Sequence, residues 1–238
     1  MRAGVAHIVL SHDIDTNMKK LSAFAEQAAD LKLDILCFPE CSLTGYIRDF
    51  HDIYEGDIEM ALGIIHEQAA RCNLDLLVGT PYFDNDSLFN AAVLLKPDKS
   101  RSVYFKNMLT EFDQKYFTKG EDTLLFEVNG VKCGVLICRD QNSPELANLY
   151  AKEGAKAIFY LAAHYYPPAE ARKKFDKNRA LPITRAVENG TYVLKANAVG
   201  LQDDTVSLGG SLIVSPDGSI IFEADKMTEG ILHCDIID

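Results

Sequence analysis

No apolar stretch in this 238-residue chain approaches the ~20 consecutive residues that a membrane-crossing helix needs, so no membrane span is expected. No basic segment precedes the first apolar run, residues 5–10, and His7 interrupts that run, so no signal peptide is expected. Positive charge is scarce: 24 Lys and Arg stand against 35 Asp and Glu, a net charge of −11. That balance argues against nucleic acid or an anionic membrane as partner. Metal-ligand spacing is missing too. The six histidines are scattered without HxH or HExxH spacing, and the CxxxC of Cys37 and Cys41 has no second Cys or His pair to answer it. No metal site is expected on that basis. With no linker, low-complexity tract or strong internal repeat, residues 1–238 read as one domain.

What is present is ordinary for a globular protein, 47% hydrophobic and 25% charged, and long enough to bury a substantial core. Most of the six cysteines lie in apolar runs, which fits reduced thiols in a cytoplasm. The periodicities alternate. A first strand over 2–10 precedes a helix capped by Asp15 or Thr16 and running to about Leu31, and 34–38 (DILCF) is a buried strand closed by Pro39-Glu40. A helix over 58–71 leads to strands at 74–79, 91–95 and 102–106, the last two joined by a Pro97-Asp98-Lys99-Ser100 turn. Residues 107–122 read as a polar, aromatic loop. Further strands are expected at 124–128, 131–138, 156–163, 191–198, 211–214, 219–223 and 231–236, with helices after Ser143 and over 169–189. The class is α/β, with a β-hairpin finish.

The stretch VKCGVLIC (131–138) sets the centre. Cys138 ends a buried strand, and five residues later Ser143 as N-cap and Pro144 at the first helical position begin a helix. A thiol at the carboxyl end of such a strand lies where α/β sheets keep their ligands, and helix N-terminal N–H groups favour a thiolate there. Taken alone, a structural core cysteine explains Cys138 better. Glu40 and Lys106 also stand at strand ends, where a solvated polar residue is the plain explanation. Together the three supply a nucleophile, a carboxylate to take its proton, and a fixed cation for a developing oxyanion, the needs of acyl transfer.

Five ordered segments resemble the nitrilase superfamily, the carbon-nitrogen hydrolases. They are LCFPECSLTGY (36–46), YFKNML with DQKYFTKGED downstream (104–122), CGVLICRD with PEL (133–146), RALPITRAVENGTYVLKANAVG (179–200) and GGSLIVSPDGSII (209–221). The resemblance implies a four-layer α-β-β-α sandwich and a Glu-Lys-Cys triad at Glu40, Lys106 and Cys138. It also implies an oxyanion held by Lys106 and the backbone N–H of Arg139, a thioester intermediate, and no metal or organic cofactor. A homodimer, formed through the helices flanking the cysteine strand, is implied as well.

Two departures from the family pattern stand out. Its second glutamate corresponds to Asp113, one methylene shorter, with Glu111 near enough to substitute. A frequent histidine two residues after the lysine is Met108 here. Tyr46, His164 and Tyr165 are candidate substrate contacts, although a solvent-facing loop position explains His164 equally well. Asn197 and Asp140 read instead as hydrogen-bond partners of the structure. The expected activity is cleavage of a non-peptide carbon-nitrogen bond in a small linear amide or N-carbamoyl compound. The alternatives are a nitrilase, which the absence of a C-terminal extension disfavours, and a silent member that binds a metabolite or a partner protein.

Overall fold

The computed structural model describes residues 1–237. Its strands are apolar on both faces because each sheet is covered twice. In β1 (Arg2–His7), β2 (Ile35–Cys37), β3 (Asp75–Asp84) and β4 (Ser87–Leu95), the residues Ala3, Val5, Ile35, Cys37, Leu77, Ala92 and Leu94 face a second sheet. Their neighbours Ala6, Leu36, Leu76, Val78, Val93 and Leu95 face helices α1 (Ile14–Asp30) and α2 (Glu55–Cys72), as the period of two requires. With β5 (Arg101–Phe105) and β14 (Gly230–Asp235) the first sheet runs β14-β1-β2-β3-β4-β5, parallel across β1, β2 and β3.

The second sheet contains β6 (Leu125–Val128), β7 (Val131–Ile137), β8 (Ala157–Ala162), β9 (Tyr192–Asn197), β12 (Leu212–Val214) and β13 (Ile220–Glu223). Its order is β13-β12-β9-β8-β7-β6, with β7, β8 and β9 parallel. Helices α3 (Pro144–Lys152) and α4 (Pro168–Asn189) cover its outer side, completing the four-layer α-β-β-α sandwich. An isolated bridge, Ile8 to Ala198, ties the two sheets together at the carboxyl ends of β1 and β9.

Several expected boundaries shift, for local reasons. The α1 cap is Asp13, whose extended backbone lets its carboxylate accept from Thr16 N at 2.7 Å, so the helix starts earlier than Asp15 or Thr16 suggests. β3 does not stop at Gly79 but runs through Pro81 into a hairpin with β4. Proline is tolerated there because β2 pairs with β3 only as far as Leu77, leaving the Pro81 nitrogen without a strand to serve. The hairpin turns at Asn85 and Asp86, both at positive φ, as a two-residue turn of the primed type needs. A small hairpin, β10 (Gly200–Gln202) with β11 (Thr205–Ser207), has too little apolar alternation to be read beforehand. The finish is a hairpin only in part. β12 and β13 pair, whereas β14 crosses to the first sheet and lies antiparallel to β1, from Arg2↔Asp235 to His7↔Gly230.

Candidate active site

Parallel strands deliver their next residues to one end of the sandwich, between the sheets. After β2, Pro39 stops the strand and the Glu40 loop lies directly on β3. A Cβ at Gly79 would come within 2.2 Å of Pro39 O and 2.7 Å of Glu40 Cα. Gly79→Ala is therefore expected to lose about 1–3 kcal/mol and to displace Glu40. A denaturation midpoint and activity unchanged from the parent would show that the loop can move aside.

Lys106 follows β5, held by its own N–H donating to Asn90 O and by its carbonyl accepting from Gly120 N, each at 2.9 Å. Its side chain is fully enclosed. The ammonium donates to Glu40 Oε1 at 2.6 Å and to Asp113 Oδ2 at 2.8 Å, leaving one of its three protons over. Burial alone would lower this group, but Glu40, Cys138 and Asp113 outweigh it and hold the ammonium well above its ordinary value. Asn90 Nδ2 at 2.8 Å donates to the same Glu40 oxygen, and Ala163 N donates to the other at 3.1 Å. Asp113 sits on a short 3-10 turn, where Tyr46 OH donates to Oδ1 at 2.6 Å and Thr110 N to Oδ2 at 2.9 Å. Burial works against its charge, yet Lys106 and these donors hold its pKa below the usual carboxylate value and keep it ionised.

Cys138 begins the turn after β7 with φ +45°, a left-handed conformation that costs a non-glycine residue about 1 kcal/mol or more. Asp140 holds that turn. Its Oδ2 accepts from Ile137 N and Tyr104 OH, and its Oδ1 accepts from Met108 N, so the cysteine turn and the lysine segment share one buried carboxylate. Burial raises that acid to about 6. Cys138 keeps some solvent access, and its sulfur lies within hydrogen-bonding reach of Glu40. Burial, followed by the Glu40 charge, pushes the thiol well up, with Lys106 opposing. That direction runs opposite to the thiolate favoured by a nearby helix start, and it favours a thiol beside a carboxylate placed to receive its proton.

The other candidates are placed unevenly. The carboxylate that meets Lys106 belongs to Asp113, while Glu111 is exposed. The Tyr46 hydroxyl is committed to Asp113, and its ring packs near Phe50 and Phe112. Arg139 is exposed beside the turn. His164 is buried at the end of β8, its backbone N–H donating to Asn197 Oδ1, and burial with nearby lysines keeps the ring neutral. Tyr165 packs into the cluster on the helix side of the first sheet. Its neighbour Tyr166 is the tyrosine that feels Cys138 and Glu40, and its hydroxyl accepts from Asn178 Nδ2 at 3.0 Å. Asn90, Ala163 N and Tyr166 were not singled out in the sequence. None of them is a charged or strongly nucleophilic group closing an apolar run, the signal that marked Glu40, Lys106 and Cys138. Among the described residues, no three His, Cys, Asp or Glu side chains converge as a metal site, and no helix is long and apolar enough to cross a membrane.

Residues 3–237 match the carbon-nitrogen hydrolase family. The chain belongs to it. It is 29% identical over 228 residues to the glutamine-dependent NAD(+) synthetase of Aquifex aeolicus, covering 92% of this chain and 39% of the synthetase. The chain therefore spans well under half of that relative's length. It is 28% identical over 227 residues to the 2-oxoglutaramate amidase of Bacillus subtilis, covering 92% of this chain and 84% of the amidase. An amidase from Nesterenkonia sp. AN1, solved with acrylamide added to its active-site cysteine, superposes with a TM-score of 0.89 at 22% identity, covering 100% of this chain and 93% of that one. That likeness fixes the fold. As a carbon-nitrogen hydrolase of the amidase or nitrilase type, this chain is an enzyme.

Proposed function

We propose that this carbon-nitrogen hydrolase cleaves the amide of a small linear compound through a thioester on Cys138. The carrying observation is the Lys106 ammonium between Glu40 and Asp113, with the Cys138 thiol in reach of Glu40. As the sulfur attacks the amide carbon, Glu40 takes the thiol proton. The carbonyl oxygen becomes an oxyanion facing the remaining Lys106 proton and the backbone N–H of Arg139. Glu40 then returns the proton to the nitrogen, ammonia leaves, and a thioester remains. Water attacks that thioester while Glu40 receives its proton, and collapse to the acid gives the proton back to sulfur. Asp113, not Glu111, holds the second-carboxylate role, and Tyr46 positions it.

Amides are the shared chemistry around the chain. The Bacillus relative is named for the amide 2-oxoglutaramate, the synthetase for its dependence on glutamine, and the Nesterenkonia amidase has been solved with butyramide. The test is ammonia release from a panel of small amides, N-carbamoyl compounds and the corresponding nitriles. At least one linear amide should be turned over faster than every nitrile. Turnover of nitriles alone would overturn the amidase reading.

A further inference from the structure

Helix α2 is apolar on more than the side that it buries. Ile58, Leu62, Ile65 and Ala69 join the cluster against the first sheet, as a covering helix should. A neighbouring stripe of Asp57, Met60 and Ile64, spaced i, i+3 and i+7, faces outward, with Met60 67% and Ile64 45% exposed. Over 58–65 (IEMALGII) the only charge is Glu59, which pairs with Arg101 at 2.8 Å, so apolar side chains make most of this outer surface. Gly63 adds to the anomaly. A Cβ there would meet nothing within 4 Å, so no close contact inside the chain asks for a glycine that weakens the helix.

The outward stripe is one wall of a cleft of about 590 Å³ between the start of α1, the segment after Tyr46 and the first half of α2. Ile14, Met18, Ile47 and Ile53 line it with Met60 and Ile64. Neither Glu40, Lys106 nor Cys138 does, so the cleft stands apart from the reaction. Its charge is of one sign. Asp13, Asp15, Asp49, Asp52 and Asp57 line it, and no Lys or Arg among the described residues does. Part of that has a local reason. Asp13 caps α1 through Thr16 N, Asp49 accepts from His51, and Asp15 and Asp57 lie in first helical turns, where the helix dipole favours a carboxylate. Asp52 has no such reason. The carboxylates of Asp15, Asp52 and Asp57 have no hydrogen-bond or ion-pair partner among the described residues.

We propose that this cleft docks a basic amphipathic helix of a partner protein, its apolar stripe against Met18, Met60 and Ile64 and its Lys or Arg side chains on the aspartates. Charge complementarity selects that occupant. A second copy of this chain would bring the same five carboxylates and be repelled, whereas a cationic segment meets an attractive field before contact. Shape agrees with charge. Side chains at i, i+3 and i+7 form the ridge that a second helix packs against, and methionine adapts to an apolar partner surface. A small organic cation held inside the cleft would leave Met60, on its outer lip, in water.

The test is fluorescence anisotropy of labelled synthetic helices with the parent enzyme. The probe is a peptide of about 16 residues with leucines on one stripe and lysines elsewhere. One control scatters the same leucines around the helix, and the other replaces lysine by glutamate. The probe should bind at micromolar concentration, at least about tenfold tighter than either control. Two surface variants map the contact: Asp52→Asn with Asp57→Asn, and Met60→Ser with Ile64→Ser. Each pair should weaken the probe at least about tenfold while leaving the melting temperature near the parent's. No binding at millimolar peptide, equal binding of the scattered control, or binding indifferent to both variant pairs overturns the proposal. Hexyltrimethylammonium binding as tightly as the probe, and lost in the same variants, makes this a small-cation site and overturns the docking reading. A dimer seen by light scattering in the parent and split by Met60→Ser with Ile64→Ser makes the occupant a second copy and overturns it too.

Discussion

Cys138→Ala is expected to lose turnover by about 10⁴- to 10⁶-fold, the scale on which hydrolases respond to loss of their nucleophile. No other thiol can take its place. Cys37, Cys41, Cys133 and Cys234 are buried, and Cys72 ends α2 on the far side of the first sheet. Cys133→Ala is the matched control. Its side chain is fully enclosed in the cluster between the sheets, in the same strand that delivers Cys138. Losing the sulfur leaves a small void worth about 1 kcal/mol of stability, with the catalytic turn untouched. Steady-state rates and denaturation midpoints of the two variants should therefore separate cleanly. Comparable residual activity in both would remove Cys138 from its role.

Glu40→Gln should slow acylation by about 10²- to 10⁴-fold, because the amide keeps the shape but cannot accept a proton. Both this variant and Asp113→Asn should still fold, for an electrostatic reason. Two carboxylates flank one ammonium, so neutralising either leaves Lys106 with one matched partner and no uncompensated charge. Asp113→Asn should cost less, since Asp113 only holds Lys106 while Glu40 remains in reach of the thiol. Single-turnover acylation with an activated ester and with the matching amide distinguishes the two. Glu40→Gln should slow both substrates, because neither reacts without an activated thiol. Asp113→Asn should spare the ester relative to the amide, whose poor leaving group leans harder on a well-placed cation. A wild-type acylation rate in Glu40→Gln on both substrates would mean that another group takes the proton.

The catalytic candidates were legible because each ends an apolar run, where strand periodicity stops abruptly and a charged or nucleophilic residue stands out. Glu40, Lys106 and Cys138 all follow that rule. What supports them was hidden. Asn90 lies inside β4, and its contact with Glu40 depends on how far β3 and β4 extend past Pro81. Choosing between Tyr165 and Tyr166 turns on one residue of register beyond β8, and a one-residue step exchanges the two faces. The family spacing fell on Asp113, with Glu111 near enough to substitute, and it is Asp113 that sits at the head of the turn whose Thr110 and Tyr46 donors grip a carboxylate. The destination of β14 could not be read locally either, because any apolar strand satisfies the same pattern and the choice of β1 is made by the assembled sheet.

The central claim is that an acyl group passes through Cys138, and a rapid-quench experiment tests it directly. The enzyme is mixed with an amide that it hydrolyses, acid-quenched during turnover, digested and read by mass spectrometry. The account predicts an adduct equal to the amide's acyl group on the peptide that contains Cys138, and none in Cys138→Ala. Sustained turnover with that peptide unmodified, or with the adduct on another residue, would contradict it.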